Sequence, residues 1–536
     1  MSSDPIENLG AIATPWADGD RIAFVDVTGT PRWRRRGSGS RRASGRDEDG
    51  GPGLVGYTDF DDRSARIAGA LVAAGHRPGD RIAILADNSV DYGAAYLAMP
   101  RAGLVTVPLN TRQPAAKLAE MAADADVQLV IHDAANASAV PPGRATVELD
   151  TAAWDEFLAT ADPLTPVAVE PDDVAIQMYT SGSTGRPKGV LLSHGGQLFS
   201  IDQYVGGVLP LDPDDRLMVS APMYHKNAGM QLKMALRLGG TVILLPRFDA
   251  ATYLRVAAEH RATAVSGVPT MFALMAAQRE LVAELDLSSV RRASIGSAPM
   301  TQALFDQARG LFPAATVTNG YGTTEVVAVF GGHPRGLPRP DITVGHPLEA
   351  VATRLVDPAT GADAEPDPDT GRRQGELWVR SQGLMVGYHG MDDVTASKVT
   401  DGWYHTGDVM EADAEGWHYF VGRVDDMFVC GGENIYPGDV ERMLEQSPDV
   451  HQASVVPVPD GLKGMLPVAF VVAAPSIADL EPEAAAAEIR DWALANGPAY
   501  AHPRAVWLVD ELPLAGTNKI DRTALVAEAG RRWQPR

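Results

Sequence analysis

The chain of 536 residues contains a single cysteine, Cys430. A lone thiol cannot close an internal disulfide, which sets aside the stapled secreted scaffolds and fits a reducing, cytoplasmic compartment. Positive charge is scarce as well. Lys and Arg total 46 against 69 Asp and Glu, for a formal net charge of -23. General nucleic-acid binding needs basic surface for phosphate contacts, so no nucleic-acid partner is expected. No run approaches 18 uninterrupted apolar residues, so no membrane span is expected. The opening MSSDPIENLG lacks the charged-then-apolar order of a signal peptide. Lysine itself is rare: Lys117, Lys188, Lys226, Lys233, Lys398, Lys463 and Lys519 are the only ones, and every other basic residue is arginine. Base composition of the gene accounts for such a bias, but the count also ranks positions where a compact ammonium is wanted, because the two cations are not interchangeable.

What remains is an ordinary globular composition, 45% hydrophobic and 21% charged. The length has room for two large domains or three to four smaller ones, each with a real core. Arg32–Gly53, RWRRRGSGSRRASGRDEDGGPG, interrupts two strand-like runs near Ile22–Val27 and Leu54–Tyr57. It reads as a solvated hairpin loop in preference to a basic arm, since it is short and ends in its own counter-charges. From Tyr57 to Asp133 helical and strand patterns alternate: Arg81–Leu85, a helix over about Val90–Arg101, Leu104–Val107, then Val127–Ile131. Such alternation predicts an α/β fold, a large N-terminal domain of helix-covered sheets. Similar units recur at Asp249–Val265 and Met300–Val317, and Asp357–Arg373 reads as an exposed acidic loop. After Gly422 the pattern changes to short elements, with Pro437 suited to a helix start, which predicts a small α+β C-terminal domain beginning near Asp425.

The strongest chemical signal is Tyr179–Val190, YTSGSTGRPKGV, between two strand-like runs. It is not a Walker loop, because Gly182 and Gly185 stand too close and Pro187 precedes Lys188. The physics is related. Glycines let backbone N–H groups converge on an anion, Thr180, Ser181, Ser183 and Thr184 add hydroxyls, and Lys188 adds charge. A polar surface hairpin is the bland alternative, and so many small, polar or cationic residues in one run argue against it.

This loop resembles the phosphate-binding signature of the AMP-forming adenylate-forming superfamily, which includes acyl-CoA synthetases, luciferases and peptide-synthetase adenylation domains. Four further segments match in order: Asn319–Glu325 (NGYGTTE), Trp403–Asp408 (WYHTGD), Gly422–Glu441 (GRVDDMFVCGGENIYPGDVE) and Pro513–Arg522 (PLAGTNKIDR). The resemblance implies a large domain over 1–424 that binds ATP and a carboxylic acid, and a mobile small domain over 425–536 hinged at Asp425. It implies that Tyr321, flanked by Gly320 and Gly322, packs on adenine, that Thr324 contacts the α-phosphate with Thr323 also in the nucleotide site, and that Glu325 binds Mg²⁺ with Thr184. Asn319 would read the adenine amino group, and Asp408 and Arg423 would hold the ribose. Gly296-Ser297-Ala298 resembles the adenine-contacting loop, with Ser297 where the family usually has a second glycine. Lys519 would bridge the acid carboxylate and the α-phosphate, a role that needs a cation because two anions must meet there.

His225 matches an aromatic position at the entrance of the family's acid pocket, although a lone His is as often structural. Ala298 and Gly322 would border that pocket. The stretch Leu217–Arg247 contains no Asp or Glu, and its centre Asn227-Ala228-Gly229-Met230 is small and mostly apolar. Burying an ammonium without a counter-charge is unfavourable, so a hydrophobic acid is expected and a free amino acid is not. Gly431, Gly432 and Arg504 match coenzyme A positions. The expected activity is therefore adenylation of a hydrophobic acid followed by thioester formation with coenzyme A. Two alternatives stay open: an enzyme that hands its acyl-AMP to a separate acyl-acceptor protein, since only Arg504 is firmly cationic near His502, and a non-catalytic nucleotide-binding scaffold. The resemblance also leaves room for a homodimer. His194, His405 and His451 have no metal-like spacing with each other or with Cys430, so no zinc site is expected.

Overall fold

The computed structural model describes residues 7–27, 53–180, 187–298, 300–430, 433–460, 463–477, 480–514 and 520–533. Two seven-stranded sheets carry the large domain. In the first, Thr316–Gly320, Arg292–Gly296, Ala264–Gly267, Arg216–Val219, Thr241–Leu244 and Ile22–Asp26 run parallel in that spatial order, and Gly53–Gly56 closes the edge antiparallel. That closing pair has the hairpin arrangement expected around the Arg-rich insertion, while residues 28–52 themselves lie outside the described residues.

In the second sheet Lys188–Ser193 lies antiparallel between Gly387–Tyr388 and Val174–Thr180. The parallel strands Val105–Pro108, Arg81–Leu85, Leu129–His132 and Ala145–Glu148 follow. Short apolar runs such as Arg81-Ile82-Ala83-Ile84-Leu85 suit strands covered on both faces. The helix Val90–Arg101 explains how the two sheets join. Ser89 caps it by accepting from the Tyr92 N–H, and every residue of the helix is buried. Gly93 packs close to Phe24 of one sheet and to Leu232 of a neighbouring helix, and a single core cluster runs across both sheets.

A third, antiparallel sheet was not foreseen from the alternating pattern. It contains Ala352–Val356, Arg373–Arg380, Val399–Thr400, Trp403–Ala412 and His418–Arg423. The exposed acidic loop lies between its first two strands. Beyond it, Phe428 to Ala529 supply a separate core cluster of their own. Pro437 opens the helix Pro437–Glu445, whose Val440 and Leu444 are buried. Val450–Asp460 and Gly464–Ala473 form the long hairpin of this smaller unit, with Val506–Leu508 alongside. The whole is an α/β architecture with a large N-terminal sheet domain and a smaller C-terminal domain. Among the described residues no helix is long and apolar enough to cross a membrane.

Candidate active site

The site begins at the turn between two antiparallel strands. Thr180 ends one and Lys188 starts the next, and the two are register partners. Ser181, Gly182, Ser183, Thr184 and Gly185 lie outside the described residues. Lys188 places its ammonium 5.4 Å from the centroid of the Tyr388 ring. This is possible because Tyr388 sits on the adjacent strand, opposite Val190. The Tyr388 hydroxyl donates to Glu325 Oε1 at 2.9 Å. Glu325 is only 9% exposed, and its backbone carbonyl accepts from the Met385 N–H. One tyrosine thus links the cation of the glycine-rich loop to the carboxylate of the NGYGTTE segment. Nothing in the dipeptide Gly387-Tyr388 announced this, because the link depends on strand pairing.

The second wall comes from the C-terminal ends of two parallel strands, where Gly296 and Gly320 are register partners. A Cβ on Gly296 would lie 2.7 Å from the Gly320 carbonyl oxygen, so only glycine fits. Ser297 follows with φ +67. This left-handed backbone is costly for a side chain other than Gly or Asn, which gives a physical reason for glycine being usual at that place. Ala298 is half-buried beside it. Asn319 is buried and donates its side-chain amide to the Ile342 carbonyl at 2.8 Å, while Arg339 donates to the Asn319 carbonyl. Thr323 turns the chain by accepting from the Val326 N–H through its hydroxyl, which sets Thr324 and Glu325 at the turn.

Three residues from separate motifs then converge. Tyr321 donates its hydroxyl to Asp408 Oδ2 at 2.6 Å, and Arg423 donates to Asp408 Oδ1 at 2.9 Å. Asp408 and Arg423 are register partners on neighbouring strands, and Asp408 is only 5% exposed. The Tyr321 ring meets Phe330 edge to face, with centroids 5.7 Å apart. Gly322 adds no side chain next to it. The result is a flat ring, a diol-sized carboxylate with an adjacent guanidinium, and a second carboxylate near a lysine. Such a set can hold a base, a ribose and a magnesium triphosphate. Mg²⁺ takes one or two protein carboxylates and completes its shell with phosphate oxygens and water, which suits the lone Glu325 carboxylate. Among the described residues no three His, Cys, Asp or Glu side chains gather into a set able to hold a metal ion by themselves.

A family profile described as AMP-binding enzyme matches residues 37–389, and one described as AMP-binding enzyme C-terminal domain matches residues 439–519. The chain belongs to the AMP-binding enzyme family. It is 36% identical to a feruloyl-CoA synthase of Amycolatopsis sp, over 88% of this chain and 93% of that protein. It is 33% identical to the 3-[(3aS,4S,7aS)-7a-methyl-1,5-dioxo-octahydro-1H-inden-4-yl]propanoyl:CoA ligase of Mycobacterium tuberculosis, over 87% of this chain and 92% of that protein. The crystal structure of ATP-bound MatB from Rhodopseudomonas palustris superposes with a TM-score of 0.85 at 27% identity, covering 98% of this chain and 100% of that one.

In this AMP-binding enzyme the stretch Leu217–Arg247 contains the helix Lys226–Leu238. His225 is the N-cap residue of the helix Lys226–Leu238 and packs its ring edge-on to Tyr224. Gly229 does not face the same way as Asn227. A Cβ there would lie 3.3 Å from the Tyr96 hydroxyl, so the small residue lets this helix approach the central helix closely. Met230 is buried in the main core. Asn227 accepts from the Gln231 amide at 2.6 Å, and that amide also donates to Ser266 at 2.8 Å. Asn227, the polar residue of that small centre, thus joins a polar cluster with Gln231 and Ser266.

Two lysines were missed beyond their place in the lysine count. Lys233 is 0% exposed and donates to Gln197 Oε1 at 2.6 Å, and Lys226 donates to the same oxygen at 3.3 Å. Burial holds the Lys226 ammonium down to about 7, with the Glu325 carboxylate pulling the other way. Burial, and then the neighbouring Lys226, push Lys233 well below the ordinary lysine value. Their rarity in the composition was the one signal that singled them out.

Asp425 is exposed in the turn after His418–Arg423. Gly431, Gly432 and Lys519 lie outside the described residues. Arg504 turns its guanidinium onto the ring of its neighbour His502, at 2.9 to 3.0 Å.

Proposed function

We propose that this chain is an acyl-CoA ligase that activates a hydrophobic carboxylic acid with ATP. The observation that carries this reading is the convergence of Tyr321, Asp408 and Arg423, three residues from separate segments that together suit a nucleoside. The named relatives, a feruloyl-CoA synthase and a CoA ligase for a dioxo-indenyl propanoyl group, support an acid with a rigid ring body.

In the first half-reaction the acid carboxylate attacks the α-phosphorus. An O–P bond forms, the bond to pyrophosphate breaks, and acyl-AMP results. Tyr321 would face the base and Asp408 would accept from the ribose hydroxyls, with Asn319 beside the base. Lys188, Thr180 and the loop Ser181–Gly185 would receive the departing phosphates. Glu325, with Thr184, would hold Mg²⁺, whose positive charge offsets that of the phosphates. Lys519 would join carboxylate and α-phosphate. In the second half-reaction the thiol of coenzyme A attacks the acyl carbon, a C–S bond forms and AMP leaves. Division of the chain into 1–424 and 425–536, with rotation at Asp425, would let Lys519 serve the first step and Gly431-Gly432 the second.

The buried amines Lys226 and Lys233 add to the case against an amino-acid substrate. A substrate ammonium in that neighbourhood would find two amines already disfavoured as cations by burial and no carboxylate on the Leu217–Arg247 stretch. A single thiol, Cys430, which is buried, fits a cytoplasmic location. One observation favours the handover of acyl-AMP to a separate acceptor protein: Arg504, the firm cation expected near the coenzyme A phosphates, is engaged by His502. Pyrophosphate release and thioester formation, measured on aryl, polycyclic, fatty and amino acids with MgATP and coenzyme A, test both. Pyrophosphate without thioester would select the handover enzyme, and no pyrophosphate with any acid would refute the ligase.

A further inference from the structure

Among the described residues, seven other than glycine have a left-handed backbone, and Ile342, with φ +54, is the one branched at Cβ. A branched side chain crowds its own backbone in that region, so the conformation is an outlier that costs free energy. Such strain persists only where the surrounding contacts over-determine it, and it gathers at functional sites. The neighbours of Ile342 are tied on both sides. Asp341 accepts from Arg309 at 2.7 Å and from Gln302 at 3.0 Å. Thr343 donates its hydroxyl to the His418 carbonyl at 2.6 Å, and the Val344 N–H donates to the same carbonyl at 2.9 Å. The Ile342 side chain is half-buried against the core of the first sheet.

The strained peptide turns its carbonyl to Asn319, whose side-chain amide donates to it at 2.8 Å. A carbonyl oxygen only accepts, so it decides which end of that amide it faces. Turning the amide over would set Oδ1 against the Ile342 oxygen, acceptor against acceptor. Oδ1 is therefore held on the other branch, where it has no hydrogen-bond partner among the described residues. Arg339 closes the clamp. One of its nitrogens donates to the Asn319 carbonyl at 2.6 Å and to the Thr343 carbonyl at 3.1 Å, which sets the spacing between the strand end and the peptide after Ile342. Among the described residues no carboxylate pairs with this half-buried guanidinium. Burial holds it down to about 10, with the Tyr204 hydroxyl pulling the other way.

We infer that Ile342 and Arg339 are positioning residues that lock the Asn319 amide, leaving its oxygen to accept from a donor on the nucleotide base. The inference rests on the ligase reading above, in which Asn319 stands beside the base. An amino-bearing base edge donates to such an oxygen, whereas a base with a carbonyl there presents a second acceptor. A free Asn would serve either base by turning its amide over, and a locked one does not. Base selectivity then depends on the backbone at 342, a residue that itself reaches the base only through Asn319.

The test is calorimetric binding of MgATP and MgITP to the whole chain, because the two nucleotides differ at that one base edge and no acid is needed. Wild type should bind MgATP more tightly, on the order of 10- to 100-fold. Ile342→Pro fixes φ near about −65° and so removes the left-handed peptide. In that variant the ratio should fall to within a few-fold of one, mainly through loss of MgATP affinity. Ile342→Gly adopts positive φ freely and should keep the ratio. Melting curves establish which variants are folded, and Arg339→Met serves if the proline variant is not. In an Asn319→Ala background Ile342→Pro should weaken MgATP by no more than about twofold, as for a residue that acts through Asn319. Equal affinities of wild type for the two nucleotides overturn the lock, and so do equal losses on both nucleotides in Ile342→Pro. Absent binding of MgATP refutes the nucleotide site itself, and with it the ligase.

Discussion

Replacing Asp408 by Asn isolates one charge at the centre of the nucleotide site. The carboxylate accepts from Tyr321 at 2.6 Å and from Arg423 at 2.9 Å. Asparagine retains the shape and one acceptor oxygen. It can keep the Arg423 contact and present its NH₂ to the Tyr321 oxygen, which accepts after its hydroxyl rotates. The fold therefore loses charge assistance more than hydrogen bonds. Arg423 is 44% exposed, so solvent screens much of the pair, and the stability loss should be about 1 kcal/mol. The nucleotide should lose more. Hydrogen bonds to a charged acceptor contribute about 1.5–3 kcal/mol each, so weakening that acceptor should raise the ATP KM about 10- to 100-fold. Turnover at saturating ATP should change by no more than a few-fold, because the ribose is remote from the reacting phosphorus. The assay is initial-rate pyrophosphate release against ATP concentration, for wild type and variant, repeated with 2′-deoxy-ATP. Wild type should discriminate against the deoxynucleotide, and the variant should lose most of that discrimination, which is the coupling a double-mutant cycle reports. An unchanged ATP KM, or unchanged discrimination against 2′-deoxy-ATP, would refute the assignment of Asp408 to the ribose.

Four other outcomes are expected. Tyr388→Phe keeps the ring beneath Lys188 but removes the bond to Glu325, so the Mg²⁺ concentration for half-maximal ATP binding, measured by calorimetry, should rise about tenfold; an unchanged Mg²⁺ dependence contradicts a positioning role. Lys519→Ala should slow acyl-AMP formation by about 10²–10³, while attack of coenzyme A on preformed acyl-AMP is largely spared; equal losses in both half-reactions sink the assignment. Asp425→Pro should retain pyrophosphate release and lose thioester formation, since proline restricts φ at the turn; wild-type thioester rates would remove the case for rotation there. Lys226 and Lys233 titrate low in the fold but at the ordinary lysine value when unfolded, so over pH 7 to 9 the unfolded chain binds more protons and these groups make stability rise with pH. The double variant Lys226→Met and Lys233→Met should have a flatter denaturant-midpoint profile than wild type over that window, and parallel profiles would contradict burial of the amines.

The sequence by itself determined the elements whose causes are local. Arg81–Leu85 and Val90–Arg101 were readable because an apolar run bounded by Gly79-Asp80, or an apolar face after Ser89, states its own conformation. The two strands that flank the glycine-rich segment, Val174–Thr180 and Lys188–Ser193, were readable for the same reason, and so were the ordered motifs that named the family. What a side chain faces was not, since pairing and burial are set by residues far along the chain. Gly229 was legible only as a small residue, and its close approach to Tyr96 of the central helix appears only in the packed fold. Lys233 was only one of seven lysines in the count, and the fold buries it against Gln197. Tyr388 acquires its place between Lys188 and Glu325 only when its two-residue strand pairs with Lys188–Ser193. Ile342 is one apolar letter in a short segment. Its left-handed backbone belongs to the folded chain alone, because the ties that hold its neighbours come from Arg309 and His418, far along the sequence.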